Sequence, residues 1–84
     1  MALELIGVCG NQQVFITPYA KWRLESRRLS IHEALQVLAK RDISYPKDVD
    51  GRHKIRSTLK NGKRAFLVIM ENLKQIVIIT GGES

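Results

Sequence analysis

The spacing of apolar and polar positions changes along this 84-residue chain. Short apolar runs at residues 3–8 and 13–16, separated by a Gly-Asn break, predict two short strands or one interrupted strand. Later runs rich in β-branched and aromatic residues predict three further strands, at residues 52–59, 63–70 and 75–80. We therefore expect β structure at both ends of the chain.

Two helix-start signals lie between these strands. Thr17-Pro18 joins an N-cap residue to a proline at the first helical position, where its missing N–H costs nothing, and predicts a helix to about Arg28. Ser30 and Glu33 have the spacing of a capping box, and the apolar residues that follow recur at helical intervals. This predicts a second, amphipathic helix that ends near Ala39.

The order of these elements defines the expected fold. It is α+β, with two N-terminal helices packed on one face of an antiparallel β-sheet and a C-terminal three-stranded meander, in the order β-α-α-β-β-β. A chain of 84 residues is long enough for one small core, so residues 1–84 are expected to form a single domain.

A row of cations marks the first strand of the meander. Arg52, Lys54 and Arg56 alternate with His53 and Ile55, and a strand turns alternate side chains to the same face. The three cations would therefore stand about 6 to 7 Å apart, a spacing at which they could meet consecutive phosphates. The alternative is a solvated strand surface, because Lys and Arg commonly cover exposed strands. His53 is expected on the Ile55 side.

The Asn61-Gly62 pair predicts a two-residue type I′ hairpin turn that places Lys60 opposite Lys63. In that register Leu67 and Ile69 share the face of the cations. The face expected under the helices then carries Ile55, Phe66 and Val68. An open sheet face that is apolar in its middle and cationic at its border suits a bound partner. The alternative is that the N-terminal strand or a tail covers it.

Composition narrows the class of partner. The chain has 14 Lys and Arg against 8 Asp and Glu, a formal net charge of +6, and a pI near 9.9. This favours an acidic partner, of which nucleic acid is the commonest, although an acidic protein or an anionic membrane would satisfy the same field. Cys9 is the single cysteine, and no zinc-type Cys/His spacing is present. We expect a cytoplasmic protein without a structural metal, a cofactor, a signal peptide or a membrane span.

An ordered set of short motifs carries a resemblance. They are Thr17-Pro18-Tyr19-Ala20-Lys21-Trp22-Arg23, Arg27, Leu29-Ser30, Ala34-Leu35, Tyr45-Pro46, Asp48, Asp50-Gly51-Arg52, Asn61-Gly62-Lys63-Arg64 and residues 76–80. In order and spacing, over roughly residues 15–80, this set resembles the small uncharacterised prokaryotic domains related to BrnT and RelE toxins. The first helix of that family usually opens Ser/Thr-x-His-Ala-x-x-Arg-x-x-x-Arg. This chain matches with Thr17, Ala20, Arg23 and Arg27, and has Tyr19 in the place of the histidine.

The resemblance implies a barnase/colicin/RelE-like fold and, often, a metal-free endoribonuclease toxin that a partner protein neutralises. Its candidate catalytic residues here are Tyr19, Arg23 and Arg27, which four-residue spacing places in one stripe along a helix. Such chemistry needs a base, an acid and cations that stabilise the transition state. An ordinary tyrosine, with a pKa near 10, could serve as the acid or bind phosphate but is a poor base. The candidate nucleic-acid-binding residues are Arg52, Lys54, Arg56, Lys63 and Arg64.

Three functional hypotheses remain open. The first is a toxin–antitoxin type protein that binds RNA or ribosomes and cleaves the RNA. The second is a catalytically silent module that binds RNA or an acidic, antitoxin-like partner protein. The third is a homodimer that uses the apolar face expected around Leu67 and Ile69.

Overall fold

A computed structural model describes residues 2–84. Its elements are β1 (Glu4–Cys9), β2 (Gln12–Ile16), α1 (Pro18–Ser26), α2 (Ile31–Lys40), β3 (Ile43–Ser44), β4 (Arg52–Thr58), β5 (Arg64–Glu71) and β6 (Gln75–Glu83). The strands form one sheet in the order β1-β2-β6-β5-β4-β3. β2 and β6 run parallel, and the other neighbouring pairs are antiparallel. Neither helix of this described chain has the length and apolar content needed to cross a bilayer.

The expected antiparallel sheet with a three-stranded meander is wrong. β1 and β2 form a hairpin ahead of the helices, and β2 then pairs with β6, which makes the sheet mixed and six-stranded. The physical reason is that β6 has the apolar composition of a central strand, and the backbone N–H and C=O groups along both of its edges need hydrogen-bond partners. β5 supplies one neighbour, and the N-terminal hairpin supplies the other.

Both predicted helix starts are confirmed. The Thr17 hydroxyl accepts a hydrogen bond from the Ala20 N–H at 3.0 Å, with proline in the first turn of α1. Ser30 and Glu33 form both hydrogen bonds of the capping box, at 3.0 and 3.1 Å. Satisfying these otherwise unpaired N–H groups explains why the helices begin where they do.

The core lies between the helices and one face of the sheet. Its fully buried large side chains are Val14, Ile16, Leu24, Leu29, Val37, Leu38, Ile55, Leu67, Ile69, Ile76 and Ile78. Burial of each contributes about 1.5–3 kcal/mol relative to exposure. α1 continues along the edge of β6 where β2 ends: the Thr17 N–H bonds to the Ile78 carbonyl at 3.3 Å, and the Glu83 N–H bonds to the Arg27 carbonyl at 3.2 Å. Gly81 and Gly82 are thus buried within β6.

The β4–β5 hairpin turns through three residues. The Leu59 N–H bonds to the Lys63 carbonyl at 2.8 Å, which leaves residues 60–62 as the loop. Gly62 has a φ of 84°, whereas Arg28 and Arg41 are the two non-glycine residues with positive φ in the described chain. A type I′ turn needs positive φ at both central positions, so Asn61 cannot take part in one. The expected two-residue turn is therefore wrong.

This longer loop moves the register by one residue and exchanges the faces of β5. Ile55 pairs with Leu67, so Leu67 and Ile69 lie fully buried under the helices. Phe66 and Val68 lie on the opposite face. The expected positions of all four residues are wrong, and Leu67 and Ile69 cannot form the dimer face that the sequence predicted.

A half-buried carboxylate joins three elements beside the core. Glu71 at the end of β5 accepts two hydrogen bonds from the Arg41 guanidinium, both at 2.8 Å, and one from the Gln12 side chain at 2.9 Å. His53 Nε2 lies 3.8 Å from Glu71 Oε1. The hydrogen bonds from Arg41 are the main cause that lowers the pKa of Glu71 to about 2.

We expect this lowered pKa to make stability fall in acid. The folded-state pKa of Glu71 lies below its ordinary value of 4.5, so its contribution is complete above pH 4.5 and is lost as the pH falls towards about 2. Glu71→Gln should lower the free energy of unfolding at neutral pH by about 1–3 kcal/mol. It should also flatten the decline in stability between these pH values. Urea unfolding measures both effects, with Glu25→Gln, on an exposed helix position, as the control.

Candidate functional site

The candidate site is the sheet face opposite the helices, here called the open face. Laterally paired residues share a face, so the strand registers define its members. One row across the strands runs Leu5, Phe15, Val77, Met70 and Arg52. The next rows contain Thr80, Val68 and Lys54, and then Gly82, Phe66 and Arg56, with Arg64 beyond them. The open face is therefore apolar at the β1 end and cationic at the β4 end.

Phe66 is the centre of the cationic half. Lys54 Nζ lies 5.0 Å from the centroid of its ring, and Arg27 Cζ lies 5.8 Å from it. Lys54 also lies 5.7 Å from the ring of Tyr45, which follows β3. Cations at such distances are attracted by the negative face of the ring, by about 0.5–1 kcal/mol each at exposed sites. The ring thus holds in place cations from two separate parts of the chain.

A glycine lets Arg27 reach this ring. Gly82 pairs with Phe66 across β5 and β6, and a Cβ at residue 82 would lie 2.5 Å from Arg27 Cδ. The Arg27 side chain therefore occupies the space that any larger residue at position 82 would take. Arg27 itself is the C-cap of α1, and its carbonyl is held by the Glu83 N–H.

Helix α1 supplies a second cluster, in which one cation lies beside two aromatic rings. Arg23 Cζ lies 5.9 Å from the ring of Tyr19 and 5.7 Å from that of Trp22. Tyr19 is 56% and Trp22 is 59% exposed, so both rings are accessible. Arg23 precedes Arg27 by about one helical turn and lies on the same side of α1. The stripe predicted from the sequence therefore borders the open face.

The other predicted residues divide between two locations. Arg52, Lys54, Arg56 and Arg64 lie on the open face. Lys63 does not, because its Nζ lies 3.0 Å from the Glu33 carboxylate and 2.8 Å from the Arg28 carbonyl, beside the helices. The structure thus brings the helix stripe and the strand row to one surface and places Lys63 away from it.

Four of the fourteen Lys and Arg residues form salt bridges within residues 2–84, and of the ten that do not, six lie on or beside the open face. Lys21, Lys40, Arg41 and Lys63 each form a salt bridge with a carboxylate, and none of them lies on the open face. Among residues 2–84, no salt bridge involves the six cations on or beside the open face: Arg23, Arg27, Arg52, Lys54, Arg56 and Arg64. Their positive charge is therefore available to a ligand.

Three titratable side chains, Tyr45, His53 and His32, could exchange protons with a ligand only if they lay on the open face. The hydrogen bond from Arg56, at 3.4 Å, lowers the pKa of the Tyr45 hydroxyl. His53 is on the Ile55 side, as predicted, and is 9% exposed, with its Nδ1 unpartnered in the described chain. His32 is exposed on α2, where it contacts Gln36. The open face therefore carries cations that can neutralise phosphates and rings on which a base can stack. Neither histidine lies on it.

Within residues 2–84, no group of three or more His, Cys, Asp or Glu side chains is arranged to hold a metal ion. Phe66 and Gly82 were missed by sequence reasoning, the first because of the wrong hairpin register. An Asn-Gly pair is also compatible with a three-residue loop that has glycine last, and weighing that register would have identified Phe66.

The chain was compared with models of protein families, with curated proteins and with solved structures, and no match was found. The resemblance to domains related to BrnT and RelE toxins thus stays a prediction. The site must be interpreted from its own geometry.

We expect Gly82→Ala to displace Arg27 from Phe66, because the added methyl would occupy the space of the Arg27 side chain. In the wild-type protein the Phe66 ring current should shift the side-chain protons of Arg27, and the substitution should abolish that shift in a proton–carbon correlation spectrum. Phe66→Leu is the control that identifies the ring as its source. An unchanged Arg27 shift in Gly82→Ala would contradict this account of the glycine.

Proposed function

We propose that the open face binds single-stranded RNA. The observation that carries this proposal is the set of six cations on or beside one surface that form no salt bridge in residues 2–84, three of which lie over aromatic rings. Six of the ten unpaired cations thus lie on or beside one surface, next to aromatic rings, and such a concentration of positive charge favours an external acidic ligand.

The β4 cations suit a phosphate backbone. Arg52, Lys54 and Arg56 alternate along β4, so about 6 to 7 Å separates neighbouring positions. Successive phosphates of an extended strand could each meet one of them, and the release of their counterions would favour binding. Arg27 and Arg64 extend the same positive surface on either side of Phe66.

The rings favour an unpaired strand over a duplex. Tyr19, Trp22 and Tyr45 are exposed, and Phe66 is half-buried in the middle of the cationic half. Base stacking on such rings contributes about 1–3 kcal/mol per base, and it requires bases that are free of a helix. An acidic partner protein would also satisfy the cations and could pack against the rings, so the affinity for RNA itself is the deciding measurement.

The proposal does not include a cleavage step. Tyr19, Arg23 and Arg27 could bind phosphate or donate a proton, but cleavage also needs a base. Histidine is the commonest base in such chemistry, but His53 lies on the helix-covered side of the sheet, next to Glu71. Binding is therefore the function that the placement of these groups supports best.

Affinity measurements test the binding proposal. In fluorescence anisotropy, a labelled single-stranded RNA should bind more tightly than a duplex of the same sequence. Lys54→Ala should weaken binding about fivefold to tenfold and reduce the salt dependence by about one counterion. Phe66→Leu removes the ring that would stack on a base and that holds Lys54 and Arg27, so it should weaken binding, but it removes no charge and should change the salt dependence less than Lys54→Ala does. Lys74→Ala, in the β5–β6 turn, is the matched control. Equal effects of Lys54→Ala and Lys74→Ala, or tighter binding of the duplex, would reject the proposal.

Incubation with total RNA and with ribosomes, without added metal, tests for cleavage separately. We expect intact RNA with the wild-type protein, because the open face lacks a histidine base. Sequencing of RNA ends is the measurement, and Arg23→Ala is the control. Cleavage that is lost in Arg23→Ala would replace the binding proposal with the ribonuclease hypothesis.

A further inference from the structure

We propose that two copies of this chain associate through β1, as antiparallel edge strands of one continuous sheet. β1 pairs with β2 on one side and has no strand on its other side within residues 2–84. The contact would involve this edge and the apolar half of the open face. It does not depend on RNA binding.

The two edges of the sheet differ in how well they are protected against pairing with a strand of another chain. At one edge, β3 has two residues and is followed by Pro46, and short length and proline both discourage pairing with another chain. At the other edge, β1 has six residues, of sequence ELIGVC, without a proline or a cation. Its one charge, Glu4, lies 3.0 Å from Lys21 of the same chain. A bulge between Leu5 and Gly7 is its sole irregularity. β1 is therefore the edge that can accept a strand.

Exposed apolar side chains accompany this free edge. Leu5 is 52% and Val8 is 66% exposed, and both lie on the open face, opposite Phe15 and Gln13 of β2. With Phe15, Val77 and Met70 they form an uncharged band. Each Å² of this band removed from water would contribute about 25 cal/mol. Backbone pairing and apolar burial would thus act at the same place.

β1 is complementary to itself. When the whole strand pairs with a second copy in antiparallel orientation, Leu5 of each copy lies opposite Val8 of the other. Both side chains are on the open face, so the exposed apolar residues of the two β1 strands would cover one another. Glu4 would lie opposite Cys9, and no like charges meet.

The charge distribution favours a second copy over an acidic partner at this edge. An acidic partner would gain most at the cationic half of the open face, whereas the β1 end is nearly uncharged. In the paired sheet the two β4 rows would be about nine strand spacings apart, roughly 43 Å. This is several times the screening length of about 8 Å, so a net charge of +6 per chain would not prevent association. The dimer would present its two cationic surfaces on the same side of the sheet.

Sedimentation equilibrium of the full chain tests the association. The wild-type protein should have a mass of about 19 kDa, twice that of the 9.6 kDa chain, and should dissociate on dilution. Val8→Lys should be monomeric, because it places two cations in the interface. Leu73→Lys is the matched control: Leu73 is 93% exposed in the β5–β6 turn, and its substitution should leave the dimer intact. A monomeric wild-type protein at high concentration, or an unchanged mass for Val8→Lys, would overturn the proposal.

Disulfide trapping tests the register in which the two β1 strands pair. Unlike Val8→Lys, it does not require a substitution that disrupts the interface. In a Cys9→Ser background, Leu5→Cys and Val8→Cys proteins are prepared separately. Mild oxidation should cross-link them when they are mixed and should not cross-link either alone, because position 5 faces position 8 of the other copy. Cross-links in the separate samples, or none in the mixture, would reject this pairing. Circular dichroism establishes that each variant is folded.

Discussion

The turn at residues 60–62 sets the register of β4 against β5, and the two faces of the sheet depend on that register. With three residues in the loop and Gly62 in the left-handed region, Leu67 and Ile69 complete the core under the helices. The same register turns Phe66 towards Lys54 and Arg27. One backbone conformation thus determines both what stabilises the domain and what it offers to a ligand.

Local signals in the sequence predicted local structure well. The caps at Thr17 and Ser30 and the alternation along β4 depend on neighbouring residues, and the structure has them as expected. The sheet topology could not be predicted in this way, because the pairing of β2 with β6 joins distant segments that have no complementary motif. The hairpin register was decided by the φ of Asn61, which the residue type alone leaves open. Both failures concern choices between conformations that the same residues permit.

The sequence identified the cations of the candidate site but did not predict how they come together. Sequence spacing identified the α1 stripe and the β4 row as separate features, and their meeting around Phe66 requires α1 to run beside β6. Gly82 makes the meeting possible, since it leaves space for Arg27. The gathering of six unpaired cations on this surface is visible only when the faces are known. It gives a chain with abundant Lys and Arg one surface where the charge is concentrated.

The parallel pairing of β2 with β6 also constrains when the domain can form. Residues 13–16 must wait for residues 75–78, so most of the chain has to leave the ribosome before the sheet can close. Until then β2 lacks its second neighbour, and the apolar side of α1 has no sheet beneath it. Pairing between such distant segments carries a large loop-closure entropy and slows folding. The nascent protein therefore spends its synthesis with uncovered apolar segments, a period in which it is open to chaperones and to aggregation.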